Sequence, residues 1–109
     1  MKQFYDHIIE IDSLIIELDQ LSLKPQEKEH LVAIIKTNVH TVILDVILSE
    51  LPEKDKKMFL AHVYHDNHDH IWKFLRARID NIEEKMILAT KKLKDEFHSD
   101  IRNLKKKKK

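Results

Sequence analysis

The sequence predicts an all-α fold, a small bundle of four to five helices, and three observations carry that prediction. None of the 109 residues is glycine. Hairpin turns and phosphate-binding loops depend on glycine for left-handed backbone or close approach, so its absence disfavours sheets and most loop-built catalytic motifs. Apolar residues recur at spacings of three and four along nearly the whole chain, the signature of amphipathic helices. Pro25 and Pro52 are each followed within three residues by acids, Glu27 and then Glu53 and Asp55, as at helix starts.

The first segment has apolar residues at 4, 8, 11, 15 and 18, widened by Leu14 and Leu21. It reads as a helix over 3–21, stopped near Ser22 because Pro25 disfavours helical geometry at Lys24. The second helix spans 25–50. Leu31, Ile35, Val39, Val42 and Val46 mark one face, and Ile34, Ile43, Ile47 and Leu48 broaden it. Only Asp45 is polar between 42 and 48, so this helix is either the centre of the bundle or a contact surface for a protein partner or a second copy.

A third helix, 53–64, carries Met58, Phe59, Leu60, Val63 and Tyr64. The chain then breaks over His65-Asp66-Asn67-His68, where Asn67 is the expected left-handed residue. A fourth helix, 67–79, presents Ile71, Trp72, Phe74, Leu75 and Ile79. Asp80-Asn81-Ile82-Glu83 reads as a capping box for a fifth helix, 81–104, apolar at 82, 86, 89, 93, 97, 101 and 104. Whether the last two helices are continuous or kinked at 80–81 is open at this level. The expected core comprises Leu31, Ile35, Val39, Val42, Phe59, Trp72, Leu75, Ile82, Met86 and Leu93.

Composition bounds the class. A 13.1 kDa chain suffices for one hydrophobic core. With no cysteine, neither disulfides nor thiolate metal sites are available. The segment from Met1 to His7 lacks a cationic start followed by an apolar stretch, and no unbroken apolar run approaches the roughly 18 residues that span a bilayer. A cytoplasmic protein without a membrane span is the expectation. The net charge of +1 averages two unlike parts. Five of the 20 basic residues are Lys105, Lys106, Lys107, Lys108 and Lys109, so residues 1–104 hold 15 basic against 19 acidic side chains. A single helical domain over 1–104, net −4, therefore precedes a basic tail over 105–109, net +5. The acidic body argues against a broad nucleic-acid face.

The order of signals resembles a family of short all-helical proteins of unknown function found mainly in uncultured candidate-phyla bacteria. The resemblance rests on Leu18-Asp19-Gln20-Leu21-Ser22-Leu23, the proline-opened helix ending in Leu48-Ser49-Glu50-Leu51, Phe59, Ile71-Trp72-Lys73-Phe74-Leu75 and Leu93-Lys94. It covers residues 14 to about 100. Members often place glycine where this chain has Ser22, and proline where it has Asp80 or Asn81. The resemblance implies a helical fold and carries over no catalytic residue.

Four of eight histidines, His62, His65, His68 and His70, fall within nine residues and are interleaved with Asp66 and Asp69. On a helix His62, His65, Asp66 and Asp69 share a face, and imidazole with carboxylate at that spacing can clamp zinc, nickel or iron. The alternative is a polar joint whose side chains cap helix ends, and on that reading there is no metal and no cofactor. Trp72, Phe74 and Tyr64 can stack bases with Lys73, Arg76 and Arg78 on phosphates, but 71, 72, 75 and 79 have core spacing. The lysine tail can tether nucleic acid electrostatically. No serine or threonine sits beside a recognisable base and oxyanion hole, so no enzyme is expected. The sequence thus predicts a non-enzymatic interaction or adaptor protein. A tail-tethered nucleic-acid accessory factor and a histidine–aspartate metal protein are the alternatives.

Overall fold

The described residues form five helices in the order α1 (Asp12–Asp19), α2 (Pro25–Glu50), α3 (Glu53–Tyr64), α4 (His68–Arg78) and α5 (Ile82–Lys107). The structure, a computed structural model, describes residues 3–107, with side chains through Leu104. There is no strand among the described residues. The prolines act as expected. Lys24 is extended ahead of Pro25 and its N–H donates to Glu27 Oε1 at 3.1 Å, while Pro52 stands extended directly before α3.

The two 26-residue helices, α2 and α5, form the long axis of a bundle 52 Å in its largest extent. A Lys85–Glu50 ion pair of 3.3 Å joins the end of α2 to the start of α5, so the two run antiparallel. α1 packs against both. α3 and α4 form a hairpin, tied by Arg78 to Asp55 at 3.4 Å. The core collects Ile43, Ile47, Phe59, Ile71, Leu75, Ile82 and Met86, all essentially without solvent contact.

The chain departs from the expected helix over 3–21: only Asp12–Asp19 is helical, and residues 4–8 form turns. Long-range partners override the local period. The Phe4 carbonyl accepts the Trp72 indole N–H at 2.8 Å, and the Tyr5 carbonyl takes the N–H groups of both Ile8 and Ile9. The turns bury Phe4, Tyr5 and Ile9 together. α1 then restarts because Glu10 Oε1 accepts the Ser13 N–H at 2.6 Å, satisfying one of the donors that every helix start leaves free.

Without glycine, three of the described residues take left-handed backbone: Ser22, Asp66 and Asn81, with φ of 54°, 56° and 55°. Ser22 takes this conformation despite its Cβ, at a position where glycine would do so without steric cost. The left-handed residue between α3 and α4 is Asp66 rather than Asn67, because Asn67 is needed as the cap of α4, where its Oδ1 accepts the His70 N–H at 3.1 Å. The expected capping box at 80–83 does not form. Asn81 turns the chain, breaking α4 from α5, and the Glu83 carboxylate binds Arg76 Nε at 2.6 Å.

On α2 the sealed stripe is Ile35, Val39, Ile43 and Ile47, a strict spacing of four, and Leu31 and Val42 from the expected core are half-buried at its edges. Leu93 is half-buried too. Thr90 is buried in its neighbourhood, its hydroxyl returned to the Met86 carbonyl at 2.9 Å. The membrane expectation also changes. Counting unbroken runs missed that α2 as a whole is long and apolar enough, by length and composition, to cross a membrane, although its sealed stripe belongs to the core.

Candidate functional site

The histidine–aspartate cluster does not close on a common point. His62, near the end of α3, packs its ring against Phe74 at 5.1 Å and His70 at 6.4 Å. His65 follows the helix end with its ring against Tyr64 at 5.6 Å, and Asp66 reaches His68 Nε2 at 2.9 Å. Asp69 lies in the first turn of α4. Among the described residues no group of three or more histidine, aspartate or glutamate side chains is placed to hold a metal ion.

Asp69 and His68 open instead into a cleft of about 580 Å³, facing Asp6 and His7 of the N-terminal turns. Its floor is Trp72, with the His7 ring edge-on at 5.4 Å and the Arg76 guanidinium 5.3 Å from the indole centre. The base-stacking arrangement is not available here. Trp72 and Phe74 are both buried, Arg76 pairs with Glu83, and Arg78 lies 3.9 Å from the Phe74 ring and pairs with Asp55. Tyr64 alone of the three aromatic residues is free to solvent, at 85% exposure. The side chains of Lys105, Lys106 and Lys107, and all of Lys108 and Lys109, lie outside the described residues, so the proposed tether falls there too.

A polar chain between α1 and α5 was not legible in the sequence. Ser13 Oγ lies 3.4 Å from His98 Nε2, and His98 Nδ1 lies 2.6 Å from Glu17 Oε1. The order is that of a nucleophile, its base and an orienting acid. The surroundings differ from a reaction centre. Glu10 occupies the start of α1, holding the Ser13 N–H and lying 3.4 Å from its hydroxyl, and Lys94 pairs with Glu10 at 3.1 Å. The Ser13 N–H, together with Lys94, keeps the Glu10 carboxyl below its usual range. A carboxylate therefore stands where donors would have to receive an oxyanion. The chain is a clamp holding α1 on α5. Its members lie more than 80 residues apart, and no short motif signals them.

The N-terminal turns and α2 enclose a second, more apolar cavity of about 330 Å³. Tyr5 Oη and His40 Nδ1 share a hydrogen bond of 2.8 Å at its wall, and the phenol pKa is pushed up to about 12, first by burial and then by the charge of Asp6.

No family model matches this chain, and no curated protein or solved structure matches it either. The chain is a small all-helical protein, and its described residues present neither a metal-holding group nor a complete reaction centre.

Proposed function

We propose that the protein is a small non-enzymatic interaction module whose contact surface is the outward side of α2. One observation carries this reading: in an 18-residue window of α2 apolar enough for a bilayer, only 22% of the residues are buried within the chain. Ile34 is 38% exposed, and Leu44 and Leu48 are half-covered. A helix this apolar with one sealed stripe leaves surface that gains free energy when covered.

A second copy is the occupant that the pattern suits. His30, Ile34, Thr37, Thr41, Leu44 and Leu48 follow alternating spacings of four and three, the seam of a two-helix coil. Antiparallel pairing about Val39 sets Ile34 opposite Leu44 and Thr37 opposite Thr41, so the seam complements itself under a two-fold axis. Lys36 and Asp45 are the only lysine, arginine or acidic residues between Leu31 and Ser49, and neither lies in the seam.

Sedimentation equilibrium over a wide concentration range tests the proposal. A dimer is expected, and Ile34→Glu with Leu44→Glu is expected to give a monomer with an unchanged helical spectrum. A wild-type chain that stays monomeric to millimolar concentration overturns self-pairing. Association that disappears with nuclease, or on removal of Lys105–Lys109, points instead to the nucleic-acid tether. An upward shift in Tm with zinc points to the histidine–aspartate alternative.

A further inference from the structure

The α3–α4 hairpin carries charge of the opposite sign from the rest of the body. Residues 53–78 hold six lysines and arginines against four acids, whereas the other residues of 1–104 hold nine against fifteen. Both acids of α3 are engaged, Glu53 by Lys56 at 2.8 Å and Asp55 by Arg78 at 3.4 Å. Lys54 and Lys57 are exposed and have no ion pair among the described residues. The outward side of α3 is therefore positive.

The same side is apolar as well as basic. Lys57, Leu60, Ala61 and Tyr64 follow each other at helical spacing on the exposed face opposite Phe59, and Met58 adjoins Ala61. Met58 and Leu60 are each 48% exposed and Tyr64 is 85% exposed. Three large apolar side chains on one twelve-residue helix make a patch, not scattered single exposures. A single helix face is convex, whereas peptide recognition uses a groove or a sheet edge. Nucleic-acid phosphates would cover the lysines and leave Met58 and Leu60 in water. A bilayer surface conforms to a convex face, pairs lysines with its phosphates and holds tyrosine at the headgroup level.

We propose that the outward face of α3 rests on an anionic lipid surface, Lys54 and Lys57 meeting headgroup phosphates while Met58, Leu60 and Tyr64 enter the headgroup–acyl boundary. The contact is peripheral, because Phe59 on the opposite side has no solvent contact and keeps α3 on the core. The face lies on a different helix from the α2 seam and stands whether or not the chain pairs with itself. A reporter on α3 also separates it from the lysine tail beyond Leu104.

Vesicles of mixed phosphatidylcholine and phosphatidylglycerol, titrated into the full chain carrying Tyr64→Trp, test this by fluorescence. Trp72 is buried and supplies a constant background. A saturable blue shift from position 64 is expected, reversed by salt and weaker on pure phosphatidylcholine. Lys57→Ala in the same chain, with its helical spectrum intact, is expected to weaken binding about fivefold, the scale of one lysine near an anionic surface. Ile34→Glu with Leu44→Glu is expected to keep the shift. Vesicle binding without a shift at position 64 assigns the contact to the tail and overturns the proposal, and loss of the shift in the α2 variant overturns it in favour of α2. Full affinity in Lys57→Ala, or an equal shift on pure phosphatidylcholine, overturns the anionic assignment. The same shift on soluble polyglutamate or RNA overturns the lipid assignment.

Discussion

The α3–α4 end and the α1 end of the bundle are held by different physics. At the first, Phe4 meets Tyr5, Phe59 and Trp72 nearly edge-on, with ring centres 5.2, 6.1 and 5.7 Å apart, and Phe59 has no solvent contact. Two hydrogen bonds satisfy the polar groups of that cluster, the Trp72 indole to the Phe4 carbonyl and the Tyr5 phenol with His40. At the other end an eight-residue helix buries Leu14 and Leu18, and polar links add to its attachment: the Ser13–His98–Glu17 and Glu10–Lys94 clamp on α5 and the Asp19–Lys28 ion pair to α2. One oxygen of that clamp, Glu17 Oε2, is buried with no hydrogen-bond partner among the described residues. Apolar area accumulates stability with every ring added. A polar clamp returns little beyond the desolvation it costs.

The largest expected effect lies at the aromatic end. Phe59→Ala is expected to lower stability by about 3–5 kcal/mol, read from denaturant midpoints; a loss near the surface-substitution level would show that the rings do not form the core. Trp72→Phe is expected to cost about 1–3 kcal/mol, because it leaves the buried Phe4 carbonyl unpaired, and to expose the N-terminal turns to proteolysis. His98→Ala, at the clamp, is expected to cost about 1–2 kcal/mol, with the loss of helix signal confined to α1.

Tyr5 links the N-terminal turns to α2 and carries a pH signature. Its folded pKa, about 12, lies above the ordinary phenol value of 10.0, so folding favours the protonated phenol. The contribution is complete below pH 10 and is lost as pH rises from 10 toward 12. Tyr5→Phe is expected to flatten the stability–pH curve across that window. A curve of unchanged slope would place the phenol in water. For Glu10, whose folded pKa is lowered, the small contribution is present above its usual range and fades as pH falls. Last in size, Ser22→Gly is expected to stabilise by up to about 1 kcal/mol by relieving a left-handed residue that carries a Cβ.

The same contrast governs what the sequence reveals. Proline placement located the starts of α2 and α3, and the spacing of Ile71, Trp72, Leu75, Ile82 and Met86 located the aromatic end, because helix periodicity is written in neighbouring residues. The turns over 4–8 were misread as helix because their cause, the Trp72 indole, lies 68 residues away. Asn67 and the 80–83 capping box were misassigned for a related reason. Two polar residues competed for each role, and the choice rested on His70 in one case and Arg76 in the other. The Tyr5–His40 pair and the Ser13–His98–Glu17 clamp join residues with no fixed spacing, so no motif encodes them.

Native-state hydrogen exchange measures the difference between the two ends directly. The amides of α4, under the aromatic cluster, are expected to exchange only through global unfolding. The amides of α1 are expected to exchange through a local opening of lower free energy, with His98→Ala lowering it further and leaving α4 nearly unchanged relative to global stability. Equal protection of α1 and α4, falling together in His98→Ala, would contradict the account by showing one cooperative unit in which clamp and aromatic core share the load.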